Sequence, residues 1–162
     1  MTWKEPITDR TAADVTDADT SALAAQKGTL NAEDLNRIEG NYRYILEELE
    51  EDAVYIPHKY RRRQEKQVRA DGTVTTTTYT DWQEQNLPWL SEINRIRANY
   101  NALVRLFLVG LGLSVFPESL YLDWQEVNDW ERVAAVGKEM TENMEKEYIY
   151  CGTMNSGGER LL

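Results

Sequence analysis

Apolar residues recur every three or four positions along the chain, the spacing that places side chains on one face of an α-helix. Two sets match one for one: Leu35, Ile38, Tyr42, Ile45 and Leu49, and then Ile93, Ile96, Tyr100, Leu103 and Phe107. The motif Asn-Arg-Ile-x-x-Asn-Tyr lies within both sets, at 36–42 and again 58 positions later (94 − 36 = 58) at 94–100. A fainter third copy begins at Trp130. The pattern therefore predicts three related helices joined by dissimilar connectors.

Helix-start signals define where these helices begin. Asn31 is a suitable N-cap for the first helix, and Pro88 suits the first turn of the second. Asp123 and Glu126 have the spacing of a capping box at the start of the third. The predicted helices span about 32–52, 88–109 and 124–147. The fold class is therefore predicted to be mainly α, a bundle of three long helices with an internal repeat.

A β-hairpin is predicted between the first two helices, as an insertion at about 64–80. Thr and Val at several positions in 67–76 suit strands, and Asp71-Gly72 suits a two-residue type I′ turn. Because a lone hairpin is marginally stable in water, we expect it to lie on the helices or on a neighbouring chain.

Both termini are predicted to be extended around the bundle at 31–147. The leader, 1–30, is polar and contains a short predicted helix at 17–27 that ends at Gly28. Residues 148–162 are predicted to form a short strand at 148–153, where apolar and polar residues alternate, followed by a flexible Gly-rich tail. A Trp near a terminus, here Trp3, indicates that the leader is pinned on its own domain or on a neighbour.

Composition excludes several classes of function. The chain has 162 residues, enough for one domain, and its formal net charge of −10 disfavours nucleic acid and anionic membranes as partners. With Cys151 and His58 as the only residues of their types, neither a disulfide framework nor a Cys/His zinc site is expected. No secretory signal or membrane-spanning segment is predicted, so we expect a protein made in the cytoplasm.

No group of residues in the sequence points to catalysis. Cys151 and His58 lack a third orienting group, and no pair of carboxylates stands out as an acid and a base. We therefore predict no enzyme activity, no catalytic residue, no cofactor and no metal. The polar repeat residues, Asn36 and Asn94 among them, are predicted to hold connectors of their own chain, although they could instead contact the backbone of a partner.

Several short motifs resemble those of one family. They are Trp-x-x-Pro-x-Thr-Asp at 3–9, Asn-Ala-Glu-Asp-Leu-Asn-Arg-Ile-Glu-x-Asn at 31–41, Ile-Asn-Arg-Ile-x-x-Asn at 93–99, a segment at 126–131 similar to Asp-Val-Asn-x-Trp-Glu, and Tyr-x-Tyr-Cys-Gly-Thr at 148–153. The chain resembles the small tail-associated structural proteins of phages and prophages of Gram-positive, mostly clostridial, bacteria. The resemblance is weakest at 58–80. It implies a non-enzymatic part of a virion or tailocin in the tail, baseplate or fibre region.

The predicted partners are other tail proteins and copies of the chain itself, in an oligomeric assembly within the virion. Neither nucleic acid nor membrane is an expected partner. The candidate partner-binding residues are Trp3, Arg61, Arg62, Arg63, Tyr148 and Tyr150. The basic run at 59–69, which contains the three arginines, is expected to pair with acidic helix ends in the same chain or the next. The alternative function is a soluble adaptor or a phage-encoded inhibitor that binds a host protein.

Overall fold

The fold is mainly α-helical, as predicted. The computed structural model describes residues 2–17, 27–51, 56–84, 88–107 and 112–156. Within these residues it has four helices and one two-stranded antiparallel sheet. The elements are α1 (Ala12–Thr16), α2 (Ala32–Glu51), β1 (Arg63–Val68), β2 (Val74–Tyr79), α3 (Leu90–Leu106) and α4 (Trp124–Ser156).

The long helices begin close to where the sequence signals place them. Asn31 caps α2, since its Oδ1 accepts a hydrogen bond from the Asp34 N–H at 2.9 Å. α4 begins at Trp124, and the Asp123 side chain accepts the Glu126 N–H at 2.7 Å. α3 begins two residues after Pro88. α3 ends at Leu106, with Phe107 as its C-cap, which is earlier than the predicted end at about 109.

The predicted C-terminal strand at 148–153 is wrong, because α4 continues through these residues to Ser156. Extending an existing helix adds one hydrogen bond for each residue that is fixed, without the cost of a new nucleus, whereas a strand needs a neighbour to pair with. Residues 138–147 are rich in Glu, Lys and Met, which favour helix, and no glycine or proline follows until Gly152. The predicted flexible tail beyond Ser156 lies outside the described residues.

The leader also differs from the prediction. A short helix, α1, forms at Ala12–Thr16 and is started by a capping box between Thr11 and Asp14. The helix predicted at 17–27 falls mostly on residues outside the described part of the chain.

The β-hairpin is confirmed, with a different turn. The register pairs Arg63 with Tyr79 and Val68 with Val74, so five residues connect the strands instead of two. The Gly72 N–H donates to the Arg69 carbonyl at 2.9 Å, and Gly72 has a φ of 81°, a backbone conformation that suits glycine. The Asp71 side chain accepts the Thr73 N–H at 2.9 Å, which stabilises this longer connection.

The core lies where α2 and α3 pack against α4. All ten apolar positions of the two repeats are buried, and Trp130 of α4, the largest fully buried side chain, lies among them. Gly137 permits close packing, because a Cβ added there would lie 2.8 Å from the Phe107 ring and 3.0 Å from Ile45. The hydrophobic repeat is therefore the core-forming face of the helices.

Candidate functional site

Asparagine side chains hold extended segments of the chain against the helices. Asn36 of α2 donates to the Trp82 carbonyl at 2.9 Å and accepts the Trp82 N–H at 2.7 Å. An amide side chain has one acceptor and two donors, so it can pair with both backbone groups of one extended residue, as a neighbouring strand would. The same two-point contact joins Asn41 to Lys4, Asn99 to Lys59, Asn101 to Phe116 and Asn128 to Arg10.

These contacts agree with the prediction that polar repeat residues hold connectors of their own chain. Asn41 and Asn99 occupy the same repeat position, and each holds one extended residue. Asn36 and Asn94 also occupy equivalent positions, but they differ in what they bind. The Asn94 Oδ1 accepts a hydrogen bond from Arg97 Nη1 at 2.8 Å, and its amide nitrogen is paired with no backbone group of the described residues.

A buried ionic cluster joins the leader, α2 and α4. Glu131, which is fully buried, accepts hydrogen bonds from Arg37 Nη2 at 2.6 Å and from Arg37 Nε at 3.0 Å. Arg10 Nη2 lies 3.0 Å from Asp34 Oδ1 and 3.4 Å from Glu131 Oε1, and Arg37 also pairs with Asp34. Burial lowers the pKa of the Arg37 guanidinium, but hydrogen bonds and the charges of Glu131 and Asp34 outweigh it, so that pKa is raised above its ordinary value.

A second buried ion pair joins α3 to α4. Arg97 is 1% exposed, and its Nε donates to Glu126 Oε1 at 2.5 Å. The same guanidinium donates to the carbonyls of Ser119 and Tyr121, which holds the connector before α4 against α3. Glu126, predicted as the second half of a capping box, is therefore used as the partner of a buried arginine.

Sequence reasoning missed both sets of buried charges. Glu131 follows Trp130 within the third repeat copy, and Arg97 takes the repeat position of Glu39. A charged residue next to the predicted buried face was the available signal, but the sequence does not show which opposite charge it meets. Arg10 lies 121 positions from Glu131, so only the packing brings them together.

Two grooves lie along the repeat helices. The α2 groove has a volume of about 610 Å³ and runs between segments 2–4 and 80–83, with Gly40 on the helix between them. The α3 groove, of about 760 Å³, lies beside segment 57–59, with Ala98 on its helix and Glu118 at its edge. Each groove is lined by residues of one repeat copy and by an extended segment that an asparagine holds.

The structure places Trp3 on its own domain. Its ring centroid lies 5.8 Å from that of Tyr44, and the Lys138 ammonium lies 5.5 Å from the Trp3 ring. Trp3 is half-buried, so part of its surface stays available. Its predicted contact with a neighbouring protein stays a prediction.

The arginines that were predicted to bind a partner have different surroundings. Arg61 is buried, donates to the Asp81 carbonyl and stacks 4.0 Å from the Trp82 ring, so it fixes the base of the hairpin. Arg62 is exposed. The side chains of Arg63, Tyr148 and Tyr150 lie outside the described part of the structure, and the backbone places both tyrosines in α4.

His58 has no catalytic arrangement around it in the described residues. Its Nδ1 lies 2.7 Å from the Ile56 carbonyl and 4.0 Å from Glu50, and its ring packs against Tyr60. No group of three or more metal-ligating side chains occurs in the described part of the chain. None of the described helices is both long enough and apolar enough to cross a membrane.

Comparisons with protein-family models, with curated proteins and with solved structures found no match.

Replacing Tyr60 by Phe is expected to keep or raise stability, by up to about 1 kcal/mol, because the buried Tyr60 hydroxyl has no hydrogen-bond partner among the described residues. Burial raises the pKa of Tyr60 from 10.0 to about 12. Since the unfolded chain loses this proton first, wild-type stability should fall as the pH rises from 10 to 12, and less so in the variant. Urea unfolding at several alkaline pH values measures both effects.

The matched control is Tyr42→Phe, which removes a hydroxyl that donates to the Trp130 carbonyl at 2.9 Å. That variant should lose about 1–2 kcal/mol at neutral pH, because the buried carbonyl then lacks its partner. Equal losses in the two variants would contradict the assignment of an unpaired hydroxyl to Tyr60.

Proposed function

We propose that this protein is a non-enzymatic structural component of a phage or phage-tail-like particle, placed in the tail, baseplate or fibre region. It would assemble through contacts with other tail proteins and with copies of itself. The motif resemblance supports the kind of particle, and the exposed hairpin supports assembly through protein contacts.

The hairpin is the observation that carries this proposal. Its described side chains from 64 to 78 are all exposed, including Val68 at 72% and Val74 at 56%. A two-stranded hairpin is marginally stable in water by itself. β2 has no charged residue, and charges are a common means by which proteins protect a free strand edge from pairing. A surface of this kind is suited to docking on another protein.

The base of the hairpin is firmly attached to the helices. Trp82, which follows β2, is 4% exposed and is held by Asn36, while its Nε1 donates to Glu39 Oε2 at 2.5 Å. Arg61, which precedes β1, stacks on the Trp82 ring. The hairpin therefore projects from a base that is fixed on the helices.

We further propose that α2, α3 and α4 form a three-helix bundle that serves as the rigid body of the subunit. The buried ionic cluster supports this, because Arg10, Asp34, Arg37 and Glu131 tie the leader and two helices into one arrangement. Preformed surfaces bind with a smaller entropic cost than surfaces that must order on binding.

Mass spectrometry of purified particles tests the proposal. The protein should occur at a fixed ratio to the major tail protein, and that ratio would indicate the symmetry of its ring or fibre. Absence from clean particles would refute the structural role. A stoichiometric complex with a host protein would then favour the adaptor or inhibitor.

Replacing residues 64–78 by a short Gly–Ser turn tests the role of the hairpin. Because Arg61 and Trp82 fix both ends of the insertion, the helical body should unfold at nearly the wild-type temperature. The variant should be absent from particles or strongly reduced in them. Thr76→Ala, which keeps the hairpin, is the matched control. Wild-type incorporation of the shortened variant would refute the docking role of the hairpin.

A further inference from the structure

The two grooves are lined by equivalent residues of the internal repeat. Four residues of the α2 groove have counterparts 58 positions later in the α3 groove: Asn36 and Asn94, Arg37 and Arg95, Gly40 and Ala98, and Asn41 and Asn99. The grooves can therefore be compared position by position.

In the α2 groove both asparagines hold an extended segment. Asn41 pairs with Lys4 on one side, and Asn36 pairs with Trp82 on the other. In the α3 groove, Asn99 holds Lys59 in the same way as Asn41 holds Lys4. Among the four asparagines of the two grooves, Asn94 is the one whose amide nitrogen meets no backbone carbonyl of the described residues.

The surface beside Asn94 is suited to a large apolar side chain. Pro57, Leu90 and Ala98 line the groove, and Leu90 is 42% exposed. Trp89, the residue before Leu90, is 79% exposed. Leu120 and Tyr121, which follow the groove residue Glu118 closely, are 78% and 83% exposed. Of these residues, Pro57, Leu90 and Ala98 line the groove itself, and exposed apolar side chains in a concave surface are typical of a protein-binding site.

We propose that the α3 groove binds an extended segment of another protein, whose backbone pairs with the Asn94 side chain and whose large apolar side chain lies in the groove. The segment held by Asn36 supports this chemistry, because it is extended and carries Trp82 at the paired residue. The proposed occupant is a different protein and not a second copy, because the net charge of −10 on each chain opposes pairing of two copies at this groove. The contacts between copies in the proposed function are assigned to other surfaces.

This inference rests on the proposed function in one respect, that the segment belongs to a neighbouring protein of the assembly. The binding itself can be measured with the purified chain alone. Mass spectrometry of particles and peptide binding in solution therefore fail independently. A chain that is absent from particles can still bind peptides in the groove, and a chain that is present in particles can fail to bind them.

The proposal is tested by selecting binders to the full purified chain from random dodecapeptides. The selected peptides are then synthesised, and their binding is measured by fluorescence polarisation. They should carry a large apolar residue. Asn94→Asp keeps the oxygen that accepts from Arg97 but removes the amide donor, so it should weaken binding by about tenfold or more. Ala98→Trp should abolish binding by filling the groove. Gly40→Ala is the matched control, because it changes the equivalent position of the α2 groove, where an added Cβ meets nothing within 4 Å.

Methylation of single backbone nitrogens in a selected peptide separates backbone pairing from side-chain contact. One position should lose binding when methylated, because its N–H would donate to the second lone pair of the Asn94 Oδ1, as the Trp82 N–H donates to the Asn36 Oδ1. Unfolding temperatures of the variants show whether each one is folded.

Three results would overturn the proposal. The first is failure to select any peptide whose binding depends on Asn94 and Ala98. The second is binding that is insensitive to methylation at every position. The third is a wild-type dimer that Ala98→Trp converts to a monomer, which would assign the groove to a second copy.

Discussion

Replacing Trp130 by Ala should lower the free energy of unfolding by about 3–5 kcal/mol. Trp130 is fully buried and is the largest such side chain in the described residues. Its removal leaves a cavity among helices that cannot close around it, and the loss of packing adds to the loss of apolar burial. Urea denaturation followed by circular dichroism measures the change.

Trp89→Ala is the matched control, because Trp89 is 79% exposed at the start of α3. It should change the free energy of unfolding by less than about 0.5 kcal/mol. Similar losses in the two variants would contradict the placement of Trp130 at the centre of the core.

Replacing Glu131 by Gln should also lower the free energy of unfolding by about 3–5 kcal/mol. The change keeps the shape of the side chain but removes the charge that Arg37 and Arg10 share. Two buried guanidinium groups then have Asp34 as the remaining carboxylate of the cluster. Thermal and urea unfolding at neutral pH measure the loss.

Glu142→Gln is the control on the same helix. Glu142 pairs with Lys138 at 2.7 Å, but its side chain is 48% exposed. Water screens such a pair, so the expected change is below about 1 kcal/mol. If salt weakened the Glu131 contribution as strongly as that of Glu142, the cluster would not be shielded from solvent as the structure has it.

These two predictions concern the helical core of the protein, whereas the proposed contacts lie outside that core. The hairpin and the α3 groove are both built on residues that the core holds in place: Trp82 lies at the base of the hairpin, and Asn94 lies one position after the buried Ile93. Removal of the hairpin or a substitution at Ala98 can therefore change binding while the core stays folded.

Local signals were enough to predict much of the fold. The three-and-four spacing identified the buried faces of α2 and α3, and the caps at Asn31 and Asp123 gave the starts of two helices. Such signals act within one or two helical turns, so they can be read from neighbouring residues. The same local reading failed at 148–153, where a weak alternation was outweighed by the helix that precedes it.

What the sequence by itself determined is the mainly α class, the hydrophobic repeat and the presence of a hairpin. The tertiary structure alone decided the partners of the buried charges and the segments that the asparagines hold. Arg10 meets Glu131 across 121 positions, and Asn36 meets Trp82 across 46. A polar side chain shows its capacity to pair, but packing determines which distant group comes within hydrogen-bonding reach. The same packing leaves the amide nitrogen of Asn94 without a backbone partner among the described residues, although the repeat makes Asn94 the counterpart of Asn36.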